Sequence, residues 1–178
     1  MRRKLGFLLL WTVLLGLVLI LPSVLESPSL ANDLTRNTVR LALVYYAVAV
    51  TLMLSLSKSA WASSANRVSW ARWSWTLAWL TFLVHLYVAF RYYHHGSHEA
   101  AVRHTEEVSG FGPGIYFSHL FTVLWTADVV YWWPCPERYA RRSPWIDRLL
   151  HGYMFFIVFN SMVVFETGLI RWAGLLSR

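Results

Sequence analysis

Four ionisable side chains stand inside stretches of this chain that are otherwise apolar and aromatic enough to cross a lipid bilayer. They are Asp128, Glu166, His85 and His119. An ionisable group in hydrocarbon is costly unless it is paired, protonated or hydrated. Such residues are therefore candidates for a buried site, in which a carboxylate could relay protons and an imidazole could bind a metal ion or haem.

The depth of these residues follows from the rise of a helix, about 1.5 Å per residue. Counted from the middle of each apolar segment, His85, His119 and Glu166 fall in the outer half of the bilayer. Asp128 falls in the inner half and lies about half a turn around the helix from His119. We therefore interpret Asp128 as one member of a structural ion pair on the cytoplasmic side. Its candidate partners are Arg72, Arg148 and His151.

The connection between the third and fourth apolar segments is rich in metal-ligating side chains. It holds four of the seven histidines and three of the nine acidic residues. Imidazole and carboxylate groups bind zinc, iron, copper and manganese. The density predicts a transition-metal or haem site, although the spacing matches neither the H-E-x-x-H pattern nor a paired-cysteine site. The candidate metal ligands are His94, His95, His98, His104, Glu107 and Glu166. The candidate cofactor-binding residues are His85 and His119, which are predicted to lie beneath the loop.

The same connection also has the pattern of a short amphipathic helix. Ser97 is a plausible N-cap, and Glu99, Arg103 and Glu107 recur every four residues. Side chains at this spacing share one helix face and form exposed ion pairs. On such a helix His104 and Glu107, three residues apart, could share one ligand.

The composition indicates an integral membrane protein. Of the 178 residues, 57% are hydrophobic and only 14% are charged, against about 25% charged in soluble domains. No linker interrupts the chain, which predicts a single domain over residues 1–178. The net charge is +7, but the basic residues cluster beside apolar segments, a pattern typical of membrane topology rather than nucleic-acid binding. The single cysteine, Cys135, excludes an internal disulfide.

Five segments approach the roughly 20 apolar residues that a membrane-spanning helix needs. The predicted fold is an all-α, polytopic transmembrane helical bundle with an outer loop over residues 91–113. Ten of the sixteen basic residues fall on one side, which predicts a cytoplasmic amino terminus and an external carboxyl terminus. The chain is predicted to lie in a bacterial inner membrane. The predicted spans are 5–21, 41–57, 73–90, 114–133 and 149–170.

The first segment loosely resembles a signal peptide, because it has a basic start, an apolar run and the small-residue sequence Ser29-Leu30-Ala31. Its apolar run is longer than the roughly 7 to 15 residues of a signal peptide. We therefore predict a retained helix; cleavage would leave four spans with the same orientation.

The sequence leaves enzymatic activity open, because it contains no complete catalytic motif. A non-catalytic subunit or scaffold of a membrane complex requires the least chemistry. Its expected partners are the lipid bilayer and either other membrane proteins or a second copy of the chain, and not nucleic acid. One alternative is a metal- or haem-binding inner-membrane protein with an outer-leaflet His/Glu site. Another is a proton-coupled carrier or membrane enzyme that uses Glu166 and Asp128.

Overall fold

The structure is all-helical over the residues that it describes. The computed structural model describes residues 2–63 and 65–165, and no strand occurs among them. The predicted all-α fold class is therefore confirmed. A π-helical turn, Ala89–Tyr93, extends the third helix, and 3-10 turns lie at Lys58–Ala62 and Gly112–Gly114. The helices are α1 (Arg2–Val24), α2 (Leu30–Leu54), α3 (Asn66–Val88), α4 (His98–Ser109), α5 (Ile115–Trp132), α6 (Pro136–Arg141) and α7 (Pro144–Phe165).

Three of the described helical segments are long and apolar enough to cross a membrane. They are Leu5–Val24, Leu30–Leu54 and Asn66–Tyr93, with 20, 25 and 28 residues. These three helices support the prediction that the chain is a membrane protein. The predicted fourth and fifth segments fall in α5 and α7, and their crossing of a bilayer stays a prediction. The end of the fifth segment, residues 166–170, lies outside the described residues.

The second helix begins well before the apolar segment that predicted it. α2 starts at Leu30, whereas the apolar run starts at residue 41. Asp33 lies in the first turn, where a carboxylate is favoured by the positive end of the helix dipole. Thr38 donates its hydroxyl proton to the carbonyl of Leu34 at 2.7 Å, which removes the polar cost of its burial. Hydropathy alone misses residues 30–40 of α2 because most of them are polar.

Two compact units can be distinguished in the chain. Among the described residues, the first unit holds 2–63, 65–96 and 129–140, and the second holds 97–128 and 141–165. Helix α5 contributes to both, changing from the second unit to the first after Asp128. The predicted single membrane domain stays a prediction.

Small, fully buried side chains occur on both α2 and α3, which pack together in the first unit. Ala49 on α2 has no exposed surface, and neither have Ala71, Ser74 and Ala78 on α3. The three α3 residues are spaced by three and four positions, so they line one face of the helix. Small residues allow two helix backbones to approach closely, which is how helices associate where lipid removes the hydrophobic drive. This pair is the centre of the first unit.

Helix α1 packs on α2 and α3 through aromatic side chains. The ring of Phe7 meets Tyr45 and Trp70 edge to face, with centroids 5.8 and 4.8 Å apart. Trp11 donates its indole N–H to the hydroxyl of Thr81 at 2.9 Å. Much of the helix remains uncovered, since Val13 keeps 57% of its surface exposed. Its predicted retention in the mature protein stays a prediction.

Candidate functional site

A buried charge cluster surrounds Arg142 in the second unit. The guanidinium donates from Nη1 to Oδ1 of Asp128 and from Nε to Oδ1 of Asp147. The side chains of Asp128 and Arg142 are 1% and 9% exposed, and that of Asp147 is 14% exposed. Arginine stays protonated in proteins, so a fixed positive charge is bonded to both carboxylates.

The start of α7 positions this cluster. Pro144 begins the helix, a position where its missing N–H loses no hydrogen bond. The N–H of Ile146 donates to the carbonyl of Ser143 at 3.0 Å, which closes the first turn. Asp147 lies in this first turn, where the helix dipole favours a carboxylate. Arg142, two residues before Pro144, is thereby held within reach of Asp147 and of Asp128 on α5.

Two more groups extend the contact between α5 and α7. His151 follows Asp147 by one helical turn and lies within electrostatic range of Asp128, Arg142 and Asp147. Further along α7, the hydroxyl of Tyr153 donates to the carbonyl of Phe117 at 2.7 Å. The second unit thus joins its two long helices by ionic and polar contacts at more than one level.

The predicted ion pair of Asp128 exists, and its cation, Arg142, is one that the sequence interpretation did not name. The sequence interpretation named Arg72, Arg148 and His151 as examples; the structure pairs Asp128 with Arg142, and of the three named residues His151 lies within electrostatic range of Asp128. Arg148 instead lies over the indole of Trp145, with its guanidinium carbon 5.3 Å from the ring centroid. Arg142 was missed because it belongs to a run of arginines that also serves as a topology signal. Pro144, as a helix start, was the available clue that the chain turns there.

His85 lies at the interface of α2 and α3. Its Nδ1 is 3.0 Å from the carbonyl oxygen of Thr35 and 3.4 Å from the hydroxyl oxygen of Thr38. A carbonyl can only accept, so the contact with Thr35 assigns the proton to Nδ1. Nε2 then carries the lone pair of the ring. His85 therefore links α2 and α3 through Nδ1, and its Nε2 is the nitrogen that could bind a metal ion.

His119 and His98 lie together, although the sequence assigned one to a cofactor and the other to a metal. Their rings stack with centroids 5.6 Å apart and planes 27° apart. Tyr116 meets His119 edge to face at 5.9 Å. Both histidines are exposed. The pair joins α4 to the first turns of α5.

Helix α4 has the cap and the ion pair that its sequence predicts. The hydroxyl oxygen of Ser97 accepts from the N–H of Ala100 at 3.1 Å. Arg103 pairs with Glu99 at 2.7 Å, and both side chains are well exposed. Nδ1 of His104 is 4.0 Å from a carboxylate oxygen of Glu107. The helix ends at Gly110, whose φ of +75° is a conformation that glycine adopts without strain.

The structure brings the candidate metal ligands together only in part. Among residues 2–63 and 65–165, no three His, Cys, Asp or Glu side chains are grouped so that they could hold a metal ion. The ring of His94 meets that of Tyr93 edge to face at 5.1 Å. His95 precedes the turn at Gly96 with a φ of +52°. Glu166 lies outside the described residues, so the predicted ligand set stays a prediction.

An aromatic group at the end of α5 was not singled out from the sequence. Trp132 stacks on Tyr139 with centroids 4.5 Å apart and planes 2° apart. Trp61 lies 5.9 Å from Trp132 and 5.7 Å from Tyr139, measured between ring centroids. All three side chains are buried. We call Trp61, Trp132 and Tyr139 the aromatic block; the run of tryptophans at positions 132 and 133 was its available signal.

Comparison of this chain with protein-family models, with curated proteins and with solved structures gives no match.

Proposed function

We propose that this chain is a non-catalytic subunit or scaffold of a membrane complex in a bacterial inner membrane. In this proposal it crosses the bilayer five times, with its amino terminus in the cytoplasm and its carboxyl terminus outside. The observation that carries the proposal is the contact between Asp128 and Arg142, because a carboxylate inside an apolar segment is bonded in the packing of the protein.

Two polar contacts between helices of the first unit also support a structural role. His85 bonds the backbone of α2, and the hydroxyl of Thr81 accepts from Trp11 on α1. Interhelical hydrogen bonds of this kind fix helix packing and are worth about 1 kcal/mol each in membranes. A scaffold needs such contacts and needs no reactive group.

Exposed apolar side chains supply the surface that a subunit would present. On α1, Val13 and Ile20 are 57% and 60% exposed, and on α7, Phe155 and Phe156 are 65% and 57% exposed. Apolar surface of this extent belongs against lipid or against another membrane helix. The proposed partner is therefore a transmembrane helix, either of another protein or of a second copy of this chain.

Site-specific photo-crosslinking in native membranes tests the proposal. A benzophenone amino acid at Val13 or Ile20 is expected to give one protein adduct of constant mass. The matched control is the same amino acid at Trp11, which faces Thr81 and should give no adduct with another chain. Adducts with lipid alone at both exposed positions would count against a subunit role.

A second candidate function is metal or haem binding through His85. The observation in its favour is the contact of Nδ1 with the Thr35 carbonyl, since ligating histidines commonly donate their other ring N–H to a carbonyl. Elemental analysis and absorption spectra of untagged protein test it. Bound metal or haem that is lost in His85→Ala and kept in His98→Ala would favour this function over the scaffold.

A further inference from the structure

Arg72, on α3, is held by aromatic rings and not by a carboxylate. Its guanidinium carbon lies 5.4 Å from the ring centroid of Trp132 and 5.3 Å from that of Trp133. Over residues 2–63 and 65–165, none of the ion pairs involves Arg72. Its Nε is buried and has no hydrogen-bond partner there. The guanidinium of Arg72 therefore contacts the rings of Trp132 and Trp133 and lies within electrostatic range of Tyr139.

Ring contacts leave the hydrogen-bonding capacity of a guanidinium unused. The attraction between a cation and an indole acts through the face of the ring. The five N–H donors of arginine lie in the plane of the guanidinium and match the oxygens of a phosphate or carboxylate. Buried donors are nearly always satisfied in native proteins. The guanidinium of Arg72, whose Nε–H has no acceptor among the described residues, can therefore bind an anion through its remaining N–H groups.

The two tryptophans that contact Arg72 are themselves held by other side chains. Trp132 belongs to the aromatic block and is 1% exposed. Trp133 donates its indole N–H to the hydroxyl of Thr76 at 3.0 Å and meets Trp73 edge to face at 5.0 Å. Trp133 remains 39% exposed, and Arg72 is only partly buried. The guanidinium of Arg72 is thus partly accessible, beside a tryptophan at the surface.

The position in the chain identifies the source of the anion. Arg72 lies in the second turn of α3, and the exposed Trp133 directly follows the last residue of α5. Tryptophans at helix ends are typical of the headgroup level of a bilayer. In the proposed orientation this level belongs to the cytoplasmic leaflet, which carries anionic lipids. We propose that Arg72, held on Trp132 and Trp133, binds the phosphodiester of an anionic phospholipid; this inference rests on the proposed membrane orientation.

Native mass spectrometry of the full-length protein, released from nanodiscs, tests this site. Phosphatidylglycerol is expected to remain bound to the wild type more than phosphatidylcholine does. Arg72→Gln should weaken retention of phosphatidylglycerol about tenfold, the loss expected for one charge-assisted hydrogen bond. The matched control is Arg67→Gln, an exposed arginine on the same helix, which should retain the lipid as the wild type does.

Each remaining outcome overturns the proposal. Equal loss of bound phosphatidylglycerol in Arg72→Gln and Arg67→Gln would show that the lipid is attracted by net charge and not by a specific site. Equal retention of the two lipids by the wild type would remove the preference for an anionic headgroup, even if Arg72→Gln failed to fold. Displacement of the lipid by inorganic phosphate would identify free phosphate as the ligand. The orientation is tested separately, by reaction of single cysteines at positions 107 and 138 with an impermeant maleimide. Reaction from the sides opposite to those proposed would contradict the orientation without affecting the lipid measurement, so the two failures are distinguishable.

Discussion

The guanidinium of Arg142 binds the carboxylate of Asp128 across fourteen positions of the chain, and both side chains are almost wholly buried. Removing two ions from solvent costs several kcal/mol for each, which the attraction between them must offset. The pair therefore stabilises the packing of α5 with the start of α7 only while both partners are present. Loss of one partner leaves a charge without its main compensation.

We expect Arg142→Gln to lower the free energy of unfolding by about 3–5 kcal/mol, because it leaves the carboxylates of Asp128 and Asp147 without their cation. Thermal unfolding in detergent, followed by circular dichroism, measures the change. Arg103→Gln is the control, since Arg103 pairs with Glu99 on an exposed helix face and such a pair contributes at most about 1 kcal/mol. Equal melting temperatures for the two variants would refute a structural role for the buried pair.

The interface of α2 and α3 offers a matched pair of alanines. Ala49 has no exposed surface, whereas Ala47, two residues earlier on α2, is exposed. Ala49→Leu is expected to destabilise the protein by about 1–3 kcal/mol or more, because the added carbons force the backbones apart. Ala47→Leu should leave the unfolding temperature unchanged. If Ala47→Leu were the more damaging of the two, the assignment of the packed face would be wrong.

His85→Ala separates a packing role from a ligand role. The substitution removes the contact with the Thr35 carbonyl, and we expect a loss of roughly 1–2 kcal/mol in stability. The scaffold proposal also predicts unchanged metal content, measured by elemental analysis of untagged protein. His98→Ala, on the exposed helix α4, controls for the loss of one imidazole. A stoichiometric metal ion that is lost in His85→Ala and kept in His98→Ala would show that His85 is a metal ligand and would contradict a purely structural role.

Single-cysteine labelling tests whether α5 crosses the membrane. In a Cys135→Ser background, Glu107→Cys is expected to react with an impermeant maleimide in intact cells. Arg138→Cys should react only after lysis, because one crossing separates the two positions in the proposed orientation. Both native side chains are exposed, so the substitutions should be tolerated. Labelling of both cysteines from the same side would show that α5 does not cross, and the reverse pattern would invert the orientation.

The helical class of the fold and the start of α4 could be predicted from hydropathy and from a helix-capping residue. The apolar runs predicted an all-α protein, and Ser97 predicted the start of α4, where its hydroxyl oxygen accepts from Ala100. The beginning of α2 was not predictable from hydropathy, because Asp33 and Thr38 sit in its first turns for reasons of dipole and hydrogen bonding. Nor could sequence show the division after Asp128, which depends on contacts between distant segments.

The candidate site was only partly predictable because side-chain partners depend on how the chain turns. Helical rise placed Asp128 away from His119 and correctly predicted an ion pair. It could not select Arg142, since the connection between α5 and α7 contains several arginines and only the fold decides which one points back. Arg72 was similarly named as a candidate partner of Asp128, whereas the side chains that its guanidinium contacts are Trp132 and Trp133.

The small-residue interface of α2 and α3 also bears on how the protein is made. The two helices are consecutive in the chain, separated only by residues 55–65. Contacts between neighbouring segments form faster than contacts between distant ones, since little loop entropy is lost. The α2–α3 hairpin can therefore assemble as soon as both helices have left the ribosome and entered the bilayer. The later helices would then be synthesised after a hairpin that is already folded.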